Sequence, residues 1–237
     1  MYSKSIGIIG GFGAYATLDF YKNILTAFAS DSERYYPHIY MDNDFTMPSR
    51  TRALLYGEAY DEVVKMIADS MRKMCCLGAD YIVLVCGTAH GFLTDVFKIV
   101  PEAKDRVLNI IELLGSYLLS LNCKHALLIA AEGTLKKKVY ESIISEKISL
   151  HNPGEQYYKE IRSFIEDVKR NRIGIETYDR WVSFLDSFDE KDVVLGCTEF
   201  PILVEKMKDY DSNHVLDKYV FHDPLKIVID ELKKIME

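Results

Sequence analysis

A chain of 237 residues, 49% hydrophobic and 27% charged, has the length for one or two domains and the composition of a soluble globular protein. Its formal net charge of −7 argues against a broad surface for nucleic acid or an anionic membrane, and no apolar run approaches the ~20 residues of a membrane span. The start shows no signal-peptide pattern, the cysteines at 75, 76, 86, 123 and 197 show no Cys-x-x-Cys spacing, and the histidines form no ligand cluster in sequence, so a cytoplasmic protein with free thiols and no metal is expected.

Ile6 to Ile9 predicts a short strand, Gly10-Gly-Phe-Gly13 a tight turn, and Ala16 to Phe28 a helix with Leu18, Tyr21, Leu25 and Phe28 on its apolar face. His38 to Asp42 reads as a second strand and Asn43 to Arg50 as a polar loop. A long helix from about Glu58 to Cys76 carries Val63, Val64, Ile67, Met71 and Met74 at helical spacing and is ended by Gly78. Tyr81 to Val85 is an apolar strand that stops at Cys86-Gly-Thr88, and Ala89 to Phe97 is the helix after it.

The second half restarts the pattern. Val107 to Ile110 predicts a strand, Ile111 to Leu121 a helix, His125 to Ala130 a strand and Glu132-Gly-Thr134 a turn. Ile148 to Leu150 reads as a short strand, Glu155 to Lys169 and Glu176 to Phe188 as helices, and Asp192 to Gly196 as the strand that delivers Cys197-Thr198-Glu199. A short helix to about Lys208, a strand at Val220 and a closing helix from Leu225 to Met236 complete the chain.

Strands alternating with helices imply parallel sheets wrapped by helices. The near-register repeat predicts an α/β protein of two pseudo-symmetric lobes, residues 1–104 plus 218–237 and residues 105–217, with the active site in the cleft between them. Two cysteines then end equivalent strands, each followed by a threonine and a helix start, where the helix dipole favours a thiolate. Facing each other across a cleft, such sulfurs suit inversion at an acidic carbon, one removing a proton and the other returning one from the opposite face. A competing reading takes Gly11-x-Gly13-x-x-Ala16 and Asp42 as a dinucleotide fingerprint and the chain as an oxidoreductase, although Asp42 lies later than the usual ~20 residues past the last glycine and both Cys-Thr motifs stay unexplained.

The chain also resembles the cofactor-independent aspartate/glutamate racemases over nearly its whole length. The resemblance rests on the glycine turn at 10–13, Pro48-Ser-Arg50, Leu77-Gly-Ala-Asp80, Cys86-Gly-Thr-Ala-His90, Gly133-Thr134, Val168-Lys169, Gly196-Cys-Thr-Glu199 and His222-Asp-Pro224. It implies Cys86 and Cys197 as the acid and base, no pyridoxal phosphate or metal, and a small acidic amino acid as substrate. It further implies Thr88, Thr198, Arg50 and Lys169 as carboxylate ligands, with Asn43, Gly87, Thr134 and Glu199 about the pocket, and a homodimer as an open option. The family has Asn after the first cysteine where this chain has Gly87, so restoring Asn is expected to raise activity on aspartate. A relative that binds an acidic ligand without turning it over is the other consequence of that departure.

Overall fold

The computed structural model describes residues 2–236. The first half runs β1 (Ser5–Ile9), α1 (Ala14–Ala27), β2 (His38–Asp42), α2 (Arg50–Tyr56), α3 (Tyr60–Cys76), β3 (Tyr81–Leu84) and α4 (Leu93–Ile99). The second runs α5 (Ile110–Ser120), β4 (His125–Ile129), α6 (Glu132–Lys136), β5 (Ser149–His151), α7 (Tyr158–Lys169), α8 (Ile175–Leu185), β6 (Asp192–Leu195), α9 (Phe200–Met207), β7 (Val220–His222) and α10 (Pro224–Met236).

All the sheet pairings are parallel, in the orders β2-β1-β3 and β5-β4-β6-β7. The segment expected as a strand at 107–110 makes only one parallel bridge, Val107 to Ile82, because Asn109 caps α5 by accepting from Ile111 N at 3.0 Å and Glu112 N at 3.3 Å and turns the chain into the helix early. With that bridge as a fourth position the two sheets correspond strand for strand: β1 with β4, β2 with β5, β3 with β6, and Val107 with β7. The helices that follow the fourth positions, α5 and α10, pack against each other.

The first lobe expected from the sequence includes residues 218–237. β7 pairs with β6, Asp192 opposite Val220, so residues 220–222 close the second sheet rather than return to the first, while α10 packs on both α5 and α1. The short strand carries too little pattern to show which sheet it would join. Two further segments differ in detail. The stretch after Arg50 is a helix, capped by Ser49 and ended by Gly57 in the left-handed region (φ 72°), and 88–92 form a 3₁₀ turn before α4.

Alternation along β3 sends Val83 and Val85 into a core shared with the second sheet, while Ile82, Leu84 and Cys86 face the cluster under α3. The shared core joins Ile6, Ile8 and Val83 to Leu127, Ile129 and Val194, so the two lobes bury one another. Behind α9, the fully buried Trp181 ring lies 5.7 Å from Phe200 and 5.2 Å from Phe164, tying the helix after Cys197 to α7. Truncating a core aromatic of that kind costs about 3–5 kcal/mol, whereas an exposed pair such as Arg52–Glu58 contributes about 0–1 kcal/mol. The site is therefore held by packing, not by its surface charges.

Candidate active site

The two cysteines leave their sheets at matched points. Val85 N donates to Ile9 O at 3.0 Å and Gly196 N donates to Ile129 O at 2.8 Å, so each central strand carries the neighbouring chain to the same height, and the next residue is Cys86 or Cys197. Both line one cleft of about 370 Å³, whose walls come from α2, the 87–88 turn, α6, α7 and the loop into α9. That volume suits a small ligand.

The surroundings of the two sulfurs differ. Cys197 Sγ donates to Glu199 Oε2 at 2.9 Å, and burial together with this carboxylate and the neighbouring Cys86 holds the Cys197 thiol well above its ordinary range. Glu199 is 4% exposed, and its other oxygen lies 3.9 Å from Lys169 Nζ. A Cβ added at Gly13 would stand 2.6 Å from Glu199 Oε1, so the glycine turn of the first lobe is shaped to admit a carboxylate from the second. Asp42, the acid of the dinucleotide reading, is paired with Lys73 at 3.0 Å. Those glycines and that aspartate thus already have partners within the chain.

Gly87 is fixed by a different approach. Its φ of −58° is open to any residue, but a Cβ there would stand 2.6 Å from Gly196 O and 2.7 Å from Tyr140 Oη. Tyr140 is fully buried and donates to Gly196 O at 3.1 Å. Burial and the two adjacent cysteines push its phenol well above the ordinary value. The space beside Gly87 is taken by a phenol from the other lobe.

Four cations line the cleft. Arg52 is paired with Glu58 at 2.6 Å, Arg162 is paired with Glu132, and Lys169 faces Glu199. Arg50 makes no ion pair among the described residues. Its Nη2 donates to Phe12 O at 2.7 Å, its Nη1 to Pro48 O at 3.1 Å, and its guanidinium lies 5.2 Å from the Phe12 ring centre. These neutral acceptors fix the group without cancelling its charge, and its buried Nε has no partner. One N–H on each Nη remains for an incoming anion.

Of the residues singled out from sequence, the fold gathers Arg50, Cys86, Gly87, Thr88, Lys169, Cys197, Thr198 and Glu199 on the cleft wall. Thr134 stands one layer back, fully buried, with its hydroxyl 2.8 Å from that of Thr88. Asn43 was expected to line the pocket and does not: it is exposed, with its side-chain oxygen against Gly10, because β2 ends before the chain turns toward α2. The stripe Arg162, Ile165, Glu166 and Lys169 along α7 also lines the cleft, and its i, i+3, i+4, i+7 spacing is a sequence signal that marks the face. Tyr140 carries no such signal.

His90 supports the Cys86 turn from below. Its Nδ1 lies 2.9 Å from Cys86 O, and burial lowers its pKa from 6.5 to about 4, so the ring is neutral and Nδ1 donates. A depressed pKa means that the unfolded chain binds the proton more readily. The contribution is complete above pH 6.5 and is lost as pH falls toward 4, on the order of 3 kcal/mol in all. Denaturant unfolding of wild type and His90→Gln across that window should show the wild-type stability falling more steeply; parallel curves would remove His90 from the account.

The sequence profile of the Asp/Glu/Hydantoin racemase family matches residues 9–220. Among individual proteins, a glutamate racemase of Shewanella woodyi is 29% identical over 147 residues, 59% of this chain, and the match spans about half of that relative, 52% of its length. The fold is that of a Picrophilus torridus aspartate racemase (TM-score 0.79, 22% identity, 99% of this chain and 94% of that one). It is also that of a Francisella tularensis glutamate racemase solved with D-glutamate (TM-score 0.68, 19% identity, 98% and 80%). At these identities the two structures speak for the fold alone.

Proposed function

The chain belongs to the Asp/Glu/Hydantoin racemase family, and from that premise we propose that it inverts the α-carbon of a small acidic amino acid by proton transfer between Cys86 and Cys197, with no organic cofactor. The observation that carries the reading is the pair of sulfurs at matched strand ends on one cleft beside an Arg50 whose charge no carboxylate cancels.

Arg50 binds a substrate carboxylate through its remaining N–H groups, and Lys169 supplies a second positive charge without bidentate geometry. With the carboxylate held, Cα lies between the sulfurs. For one enantiomer Cys197 passes its proton to Glu199 Oε2 and as thiolate takes the proton from Cα. Cys86 then delivers its own proton to the opposite face. The enzyme is left with Cys86 as thiolate, Cys197 as a thiol carrying the former Cα proton and Glu199 protonated; this form accepts the other enantiomer, Cys86 taking its Cα proton, Cys197 delivering one to the opposite face and then recovering a proton from Glu199. Thr88, braced by Thr134, and Thr198 add hydroxyl donors at the two rims.

Polarimetry of L- and D-aspartate and of both glutamate enantiomers, with no added pyridoxal phosphate, nicotinamide or flavin, tests the reading directly. Loss of optical rotation is expected, and activity that appears only when one of those cofactors is added would overturn it. Arg50→Ala is expected to lower kcat/KM on dicarboxylic substrates by roughly a hundredfold or more, the scale of two charge-assisted hydrogen bonds at about 1.5–3 kcal/mol each. An unchanged kcat/KM for aspartate and glutamate would refute the acidic-substrate assignment while leaving the two-cysteine chemistry standing.

A further inference from the structure

The histidines form no metal-like group along the sequence, yet the fold assembles one group of donors well away from the cleft. Cys123, in the turn between α5 and β4, Asp192, at the start of β6, and His222, at the end of β7, bring one sulfur, one oxygen and one nitrogen within 4.8 Å of one another. We propose that these three side chains bind a borderline-soft divalent cation, zinc(II) by its donor preferences, and that the ion staples the strand carrying Cys197 to its neighbours.

The donor set is the first argument. Thiolate, imidazole and carboxylate are together the ligands that zinc takes, at about 2.0–2.3 Å each, which places neighbouring donors some 3–4 Å apart around a tetrahedral ion. His222 Nε2 stands 2.8 Å from Asp192 Oδ1 and all three donors lie within 4.8 Å, so shifts of about 1 Å or less, opening the His222–Asp192 pair and drawing in any wider one, bring all three to ligand distance.

Charge is the second. Among the described residues no lysine or arginine pairs with Asp192, whose side-chain partner is the His222 ring at 2.8 Å. The Cys123 sulfur lies within 4.8 Å of this carboxylate, while its thiol donates to His125 O at 3.4 Å. Binding replaces the thiol proton with the metal, the proton leaving to solvent, and requires the neutral His222 tautomer with its proton on Nδ1.

Access and rigidity complete the case. The His222 side chain is 1% exposed and its ring meets Tyr117 edge-on at 6.0 Å, so it is fixed in place, whereas the Asp192 side chain is 38% exposed and leaves an entry path and a coordination position for water. The site is at the opposite end of β6 from Cys197, five residues and roughly 16 Å along the strand. It therefore stands apart from the proposed chemistry and does not depend on it.

Equilibrium dialysis of the full chain against chelator-buffered zinc, with the metal measured by mass spectrometry, tests the assignment. Wild type and the Cys86→Ser/Cys197→Ser double variant are each expected to hold one ion per chain. Cys123→Ser and His222→Ala are expected to hold none. Because His222 is buried, Cys123→Ser is the variant that keeps the fold while removing a ligand, and with cobalt(II) it should lack the thiolate-to-metal charge-transfer band seen in wild type. Failure of wild type to bind zinc, full binding by Cys123→Ser, or loss of binding in the Cys86→Ser/Cys197→Ser variant alone would each overturn the proposal.

Discussion

Gly87→Asn is expected to lower turnover on the order of a hundredfold, not to improve it. The resemblance to racemases with Asn after the first cysteine suggests a gain on aspartate, but at Gly87 the obstacle is space and not conformation. The first atom of any side chain meets a backbone carbonyl at 2.6 Å and the Tyr140 hydroxyl at 2.7 Å. The phenol could swing only by giving up its bond to Gly196 O and its burial, and Gly196 O cannot retreat without moving Cys197, the next residue. Overpacking of this kind costs about 1–3 kcal/mol of stability, and a displacement near 1 Å between reacting groups costs on the order of a hundredfold in rate. Gly87→Ala, which adds only the clashing atom, should already show most of both losses in thermal unfolding and steady-state racemisation. A Gly87→Asn protein with raised aspartate activity and an unchanged melting temperature would show that Tyr140 does not occupy the site as described.

Glu199→Gln is expected to lower kcat by about 10²–10⁴-fold, the usual range for removing a positioned proton acceptor, while KM moves little. The amide keeps the volume that Gly13 admits and can still accept a hydrogen bond from Cys197, but it cannot take the thiol proton. Because a racemase must obey the equilibrium between enantiomers, the loss should appear in both directions. A separate readout follows from the charge: the carboxylate raises the Cys197 thiol, so in the amide variant alkylation of Cys197 by iodoacetamide should begin at lower pH than in wild type. Wild-type kcat together with an unchanged alkylation profile would make Glu199 a structural residue.

Much of the architecture was legible because parallel strands buried on both faces read as short apolar runs, and Tyr81–Leu84 and Asp192–Leu195 each announce the cysteine that follows. The helix that carries Arg162 and Lys169 was legible too, but which of its faces meets the cleft emerges only in the fold. What did not show was whatever depends on the second lobe arriving. Tyr140 lies in a stretch without strong periodicity, yet it decides what residue 87 can be. Gly13 and Gly133 resemble ordinary turn glycines, but a Cβ on the first would meet Glu199 and on the second Thr51 Cα at 2.9 Å, both from the opposite lobe. The three-residue β7 carries too few side chains to announce its sheet. Asn43 matched a motif but, one residue past β2, is left on the outer surface.

The two-cysteine claim is tested most directly by proton exchange at Cα. Each enantiomer of aspartate and glutamate is incubated in deuterium oxide with wild type, Cys86→Ser and Cys197→Ser, and the label and configuration of the recovered amino acid are measured together. Wild type is expected to return the opposite enantiomer of an acidic amino acid carrying deuterium at Cα, and each single serine variant to lose racemisation. Inversion without deuterium, or racemisation that survives the loss of either sulfur, would contradict it.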